Sequence, residues 1–374
     1  MIRRHSGSVL LSAAICVLLG VSGSAQKATA RPGGGGGVNH KAEQARPIQL
    51  GTSGGNALDL ANGYCCSGTL GALVTKGDKQ YILSNTHVFA GDSVPGGNGY
   101  TAALNDPINQ AGLIDNNCVN DAQKHVANLK EWARFNSSDN VDAAIAEVIA
   151  DKVDTGGAIL EIGTISSTPL AAAVNLPVKK SGRTTGLTRS RVSSLNATIG
   201  VGYSNECAGG SFTKTFTGQV LISNKGSRFL NSGDSGSLMV EDVATNPRAV
   251  GLLYAGSSSI AVANPIGHVL SKFGVTMVGT ASAAGATQET STAAQARGLA
   301  RAMEVQERHG RDLLDVPGAI GHAVGMGNSP VIQILVEQIT PGAQARAPRD
   351  LEGVPVVLEE VGQVRAMPRC SKKK

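Results

Sequence analysis

The chain has 374 residues, 41% of them hydrophobic and only 3% aromatic, with 48 glycines. That length allows two or three domains, and that composition suits a β-rich fold with many tight turns. The net charge of +5 forms no basic stripe interleaved with aromatics, which argues against a nucleic-acid-binding class.

Residues 1–25 read as an export signal. Arg3, Arg4 and His5 make a positive start, Val9 to Val21 an apolar run, and small residues allow cleavage after Ala25 or after Ala30. The run is short for a membrane span, so a retained anchor is the alternative and no stable insertion is expected once the signal is removed. Loss of residues 1–25 lowers the charge from +5 to +3. The protein is therefore expected to be secreted or periplasmic. Cys16 leaves with the signal. Cys65, Cys66, Cys118, Cys207 and Cys370 then allow one or two disulfides and leave at least one thiol. No Cys/His spacing fits zinc, and neither a metal nor a cofactor is expected.

Residues 26–60, with glycines at 33–37, read as a flexible lead-in arm. Between 61 and 278, short apolar runs such as Thr69–Val74, Tyr81–Leu83, Ala143–Ile149 and Ala249–Tyr254 are split by Gly, Asn and Asp. Strand-sized runs with turn signals predict an antiparallel all-β barrel or sandwich. Residues 279–298 are rich in Ala, Ser, Thr and Gln and read as a linker. A helix-like stretch from Gln295 and strand-like runs near 319, 331 and 354 predict a small α/β module over 299–374.

Three segments carry chemistry. In Gly233-Asp234-Ser235-Gly236, the flanking glycines permit a tight turn that exposes a serine hydroxyl and aims backbone N–H groups at a developing oxyanion. The expected oxyanion donors are the N–H groups of Gly233 and Ser235. In Ser84-Asn85-Thr86-His87-Val88, an imidazole follows a strand-like run, suited to a general base. His125 and His268 are its rivals. In Asn140-Val141-Asp142-Ala143, an Asp leads an apolar strand, where it can stay buried and ionised to hold an imidazole. Asp139 is its rival and reads as a turn cap. The order His87, Asp142, Ser235 is that of chymotrypsin and not of subtilisin or the α/β-hydrolases.

On these motifs, together with Cys66-Ser67-Gly68-Thr69-Leu70, Ser181–Leu187 and Gly251–Gly256, the region 61–275 resembles the trypsin/chymotrypsin-like serine peptidase superfamily. Val178–Gly186 is similar to the α-lytic and streptogrisin-type proteases. Leu252–Gly256 with Ala263-Asn264-Pro265-Ile266 is similar to the narrow-leaf plant serine proteases and their bacterial relatives. The resemblance implies two packed antiparallel six-stranded β-barrels and an endopeptidase acting through an acyl-enzyme on Ser235. It implies Tyr254, Ala255 and Gly256 as the strand that pairs with substrate, and Phe229 as the floor of the specificity pocket. No Asp stands at Phe229, so an apolar or small preference is expected in place of Arg/Lys. It also implies Lys180 as the buried cation facing Asp234, since no Ile-Val-Gly-Gly start is present to supply an amine. Val88 and Lys179 stand where relatives carry cysteines, so two family disulfides are absent. The expected partner is a protein or peptide substrate, with the oligomeric state left open. The alternative is a protease-like binding or scaffold protein without turnover.

Overall fold

The computed structural model describes residues 1, 37–61, 63–90, 102–204, 211–281, 293–367 and 369–372. The export signal after Met1 and both cleavage positions lie outside the described residues, as does Cys207.

Two antiparallel β-barrels carry the molecule. In the first, Ala72–Lys76, Lys79–Ser84, Ala144–Val148, His125–Trp132, Pro107–Asn109, Thr52–Asn56 and Tyr64–Leu70 follow one another by hydrogen bonding. Ile48, Leu50, Leu73, Ile82, Leu83, Phe89 and Ile145 pack into its core. Tyr81 pairs with Glu147 and Leu83 with Ile145; the strand is buried on both faces from Tyr81 to Ser84, and only its start at Lys79 is exposed. In the second, Pro177–Gly182, Gly186–Ser204, Ser211–Ser223, Ile260–Pro265, Ala249–Gly256 and Leu238–Glu241 form a closed ring of six. Closure leaves no open edge within that ring. A disulfide joins Cys65 to Cys118 across 53 residues.

Two segments differ in role from the sequence expectation. The arm expected through residue 60 is built into the first barrel from Ile48 onward. Ile48 and Leu50 are fully buried, and Thr52–Asn56 pairs with both Tyr64–Leu70 and Pro107–Asn109. Its small residues Thr52-Ser53-Gly54-Gly55-Asn56 carry no apolar alternation, but a Cβ on Gly54 would stand 2.3 Å from Leu70 Cδ2, so close strand packing selects them. The helix begins at Ala293, inside the expected linker, and runs to Leu314.

The C-terminal strands extend the second barrel. Ala319–Met326 pairs with Gly186–Ser204, Pro330–Val336 pairs with it in turn, and Val354–Glu360 adds in parallel. Leu299, Ala302, Met303 and Val305 place an apolar helix stripe over Val324, Ile332 and Ile334. No helix among the described residues is long and apolar enough to cross a membrane.

Helix and sheet meet at a buried polar contact. Gln306 Nε2 donates to His322 Nδ1 at 2.8 Å, and its amide is also bonded to Asn196. Burial lowers the His322 pKa from its ordinary 6.5 to about 4. Above pH 6.5 the imidazole is neutral whether the chain is folded or not. As pH falls from 6.5, the unfolded chain takes up a proton that the folded chain refuses until about 4, so stability falls. The loss reaches about 3 kcal/mol at its limit. His322→Gln is expected to flatten this dependence in urea unfolding followed across that pH range; an unaltered slope contradicts it.

Candidate active site

His87 sits in the one-turn helix Thr86–Phe89, which directly follows strand Lys79–Ser84. Thr86 Oγ1 bonds the carbonyl oxygens of Ala133 and Ala143 at 2.9 Å, pinning this turn between two strand ends of the first barrel. The His87 Nδ1–H donates to Asp142 Oδ2 at 2.5 Å, and the His87 backbone N–H reaches Asp142 Oδ1 at 3.3 Å. Asp142 is fully buried. Asn85 Nδ2 and Asn264 Nδ2 both donate to its carbonyl, at 2.7 and 3.1 Å, and Asn264 Oδ1 accepts its N–H at 3.2 Å. The three rivals stand elsewhere. His125 bonds Asn120 Oδ1, His268 is exposed on helix Ile266–Phe273, and Asp139 pairs with Lys272 at 2.6 Å while accepting the Arg134 N–H.

One donor to the acid comes from a distant strand. Tyr203 Oη donates to Asp142 Oδ2 at 2.9 Å. Its ring stacks on Phe212 and packs on Phe135. Burial, and then the Asp142 charge, push the Tyr203 phenol well above its ordinary range, so it stays a donor at neutral pH. No local motif marks Tyr203, since its role depends on how far the Gly186–Ser204 strand reaches over the first barrel. Asn264 was in view only as part of Ala263-Asn264-Pro265-Ile266.

The serine lies on the other side. Gly233 and Gly236 have φ of 98° and 92°, a region that L side chains rarely adopt, and a Cβ on Gly236 would stand 2.2 Å from Ser84 Oγ. Those two glycines shape the turn around Asp234-Ser235. Thr69 clamps it, donating from Oγ1 to Gly233 O at 2.9 Å and from its N–H to Ser235 O at 2.8 Å. Gly68 brings the two halves together. A Cβ there would lie 2.5 Å from Val88 Cγ2 and 2.9 Å from Ser235 O, so the segments carrying His87 and Ser235 meet across it. Ser235 Oγ donates to Tyr254 O at 3.1 Å, and His87 Nε2 is buried with no hydrogen-bond partner among the described residues.

Asp234 is fully buried and heavily bonded. Its carboxylate accepts the N–H groups of Thr184, Thr185 and Asn231 and the Thr185 hydroxyl, at 2.7 to 3.1 Å. Lys180, also fully buried, lies 3.4 Å from it and donates to Gly186 O at 3.0 Å. Burial lowers the Lys180 pKa, and Asp234 opposes that shift. Glycine is required nearby, since a Cβ on Gly182 would stand 2.7 Å from Asp234 Oδ1.

Phe229 is buried, its N–H taken by Asn224 Oδ1 and its carbonyl by the Thr188 hydroxyl. Tyr254-Ala255-Gly256 forms the end of strand Ala249–Gly256. A carbonyl oxygen from the C-terminal segment, that of Met367, accepts the Gly233 N–H at 2.7 Å. Among the described residues no cluster of three His, Cys, Asp or Glu side chains is placed to hold a metal.

No protein-family model and no curated protein matches this chain. Among solved structures the chain is similar to a glutamic-acid-specific serine protease, at 18% identity over 62% of this chain and 100% of that one, with a TM-score of 0.41. It is similar to protease A of Thermobifida fusca at 17% identity, over 62% of this chain and 99% of that one, with a TM-score of 0.39. It is also similar to an α-lytic protease homologue at 19% identity, over 58% of this chain and 98% of that one, with a TM-score of 0.37.

Proposed function

We propose that the chain is an exported serine endopeptidase. Ser235 Oγ attacks the peptide carbonyl, His87 takes its proton and later gives it to the leaving amine, and Asp142 holds the imidazole in the productive tautomer. The N–H groups of Gly233 and Ser235 stabilise the oxyanion. Tyr254, Ala255 and Gly256 bind substrate backbone, and Phe229 closes the pocket for the residue before the cut. Lys180 and Asp234 keep the nucleophile turn in place.

The observation that supports this most is the Gly233 N–H holding a peptide carbonyl oxygen at 2.7 Å, on the turn that carries Ser235. The 2.5 Å His87–Asp142 bond adds the oriented base. The test is reaction with a fluorophosphonate, which needs an activated serine. The adduct is expected on Ser235 by peptide mapping, and absent in His87→Ala. A Ser235 left unlabelled even in folded Met367→Asp, where the carbonyl held by the Gly233 N–H is displaced, or labelling that survives His87→Ala, overturns the proposal in favour of a scaffold without turnover.

Tyr203→Phe removes one hydrogen bond to the buried Asp142 carboxylate. It is expected to slow labelling about three- to tenfold while the fold persists. A rate equal to the parent chain's would make Tyr203 a packing residue alone.

A further inference from the structure

The C-terminal segment passes the Ser235 turn on its way from the second barrel to the first. Arg365 pairs with Gly256 and Ala366 with Ala255, antiparallel. Met367 N–H donates to Tyr254 O at 3.2 Å, and Met367 O accepts the Gly233 N–H at 2.7 Å. The Met367 side chain packs against the cluster containing Phe229, Leu230 and Leu253, with Sδ 3.8 Å from Ser232 Oγ. Beyond it, Arg369–Lys372 pairs antiparallel with Tyr64–Ser67 of the first barrel. Upstream, Val364 O accepts the Gly202 N–H at 3.0 Å, and Val361 O accepts the Ser257 hydroxyl. Ser235 is fully buried in this arrangement. Residues 365–366 therefore pair along the second barrel and 369–372 along the first, and the Met367 carbonyl is held by the Gly233 N–H.

We propose that residues 364–372 are a built-in, substrate-mimicking inhibitor of the Ser235 site, with Met367 in the place of the residue whose carbonyl is attacked. The inference rests on the peptidase reading above. It also names the substrate class: peptides with an unbranched apolar side chain at that residue, as Met adapts to an apolar pocket, and a small residue before it.

Two features make the segment resist cleavage. The bond after Met367 leads to Pro368. Attack would form a bond from Ser235 Oγ to the Met367 carbonyl carbon and break the bond to the Pro368 nitrogen. The Ser235 proton would pass through His87 to that nitrogen. A proline nitrogen carries a ring carbon where other residues have only hydrogen, which makes it a poorer proton acceptor for any general acid that must reach it. The second feature is tethering. Strand pairing on both sides keeps the freed amine beside the acyl group, where its effective concentration favours re-formation of the bond over hydrolysis.

The full chain is therefore expected to react slowly with a fluorophosphonate. Met367→Asp places a charge in an apolar pocket and is expected to raise the labelling rate at least about tenfold. A synthetic peptide spanning residues 363–372 of the parent sequence is expected to slow that variant again, competitively. Met367→Gly withdraws the side chain without adding charge and is expected to accelerate labelling too, which keeps the inference open to refutation if the Asp variant does not fold. Equal rates in the parent chain and the folded variants overturn the inhibitor and leave the peptidase standing. So does a peptide that leaves the folded variant's rate unaltered. Absence of labelling in every protein, with the variants folded by circular dichroism, overturns the peptidase reading and the inhibitor with it.

Discussion

Ser235→Ala is expected to lower peptide hydrolysis by about 10⁴- to 10⁶-fold in kcat, measured in a chain that also carries Met367→Asp so that the cleft is open. The size follows from the division of labour in the site. The Gly233 N–H and the strand end Tyr254-Ala255-Gly256 proposed to pair with substrate survive the change, so a residual rate from oxyanion stabilisation and positioning is expected to persist. What disappears is the oxygen that forms the acyl-enzyme and the proton that His87 has to take. His87→Ala is expected to cost a similar factor, and the double variant little more, because the two groups act as one unit. Stopped-time hydrolysis of a peptide with Met before the cut bond, followed by mass spectrometry, reads this directly. A Ser235→Ala loss below about a hundredfold would mean that hydrolysis arises elsewhere.

Lys180→Ala is the second large effect. Lys180 and Asp234 are both fully buried, and the cation is the only charged partner of Asp234 among the described residues. Removing it leaves an uncompensated carboxylate in the core, which costs about 3 to 5 kcal/mol. The hydrogen bonds from Thr184, Thr185 and Asn231 remain, so the turn does not lose every support. The double variant Lys180→Met with Asp234→Asn is expected to recover part of the loss, since it removes the charge together with its counterion. Urea unfolding gives the stability, and the Ser235 labelling rate gives the state of the turn. A Lys180→Ala loss under about 1 kcal/mol would show that the Thr and Asn donors alone hold Asp234.

The contrast between His87 and Tyr203 explains how much of the site was legible beforehand. His87, Asp142 and Ser235 each announce themselves within five or so residues, because the backbone around a reactive group is constrained locally. Glycines must flank the serine, and a strand must deliver the acid and the base. Tyr203 has no such local demand. Its hydroxyl meets Asp142 at 2.9 Å only because a long strand reaches across to the other barrel. Met367 is a still sharper case. In sequence it falls within the expected α/β module of residues 299–374, and nothing nearby marks it as a residue that would reach the Ser235 turn. The arm at 48–56 escaped for a different reason, since small residues chosen for close strand approach do not show the apolar alternation by which strands are recognised.

From residue types and their order alone came the β-rich class and the chemistry of a hydroxyl, an imidazole and a carboxylate; the pairing of Lys180 with Asp234 came as an expectation from the family resemblance. These depend on local backbone freedom and on the cost of a buried charge, both readable one segment at a time. The folded molecule alone decided the Tyr203 donor to Asp142, the joining of the C-terminal strands to the second barrel, and the placement of residues 364–367 beside the Ser235 turn. Such contacts join residues that are far apart in the chain, and their partners are selected by the shape of two closed barrels and the cleft between them.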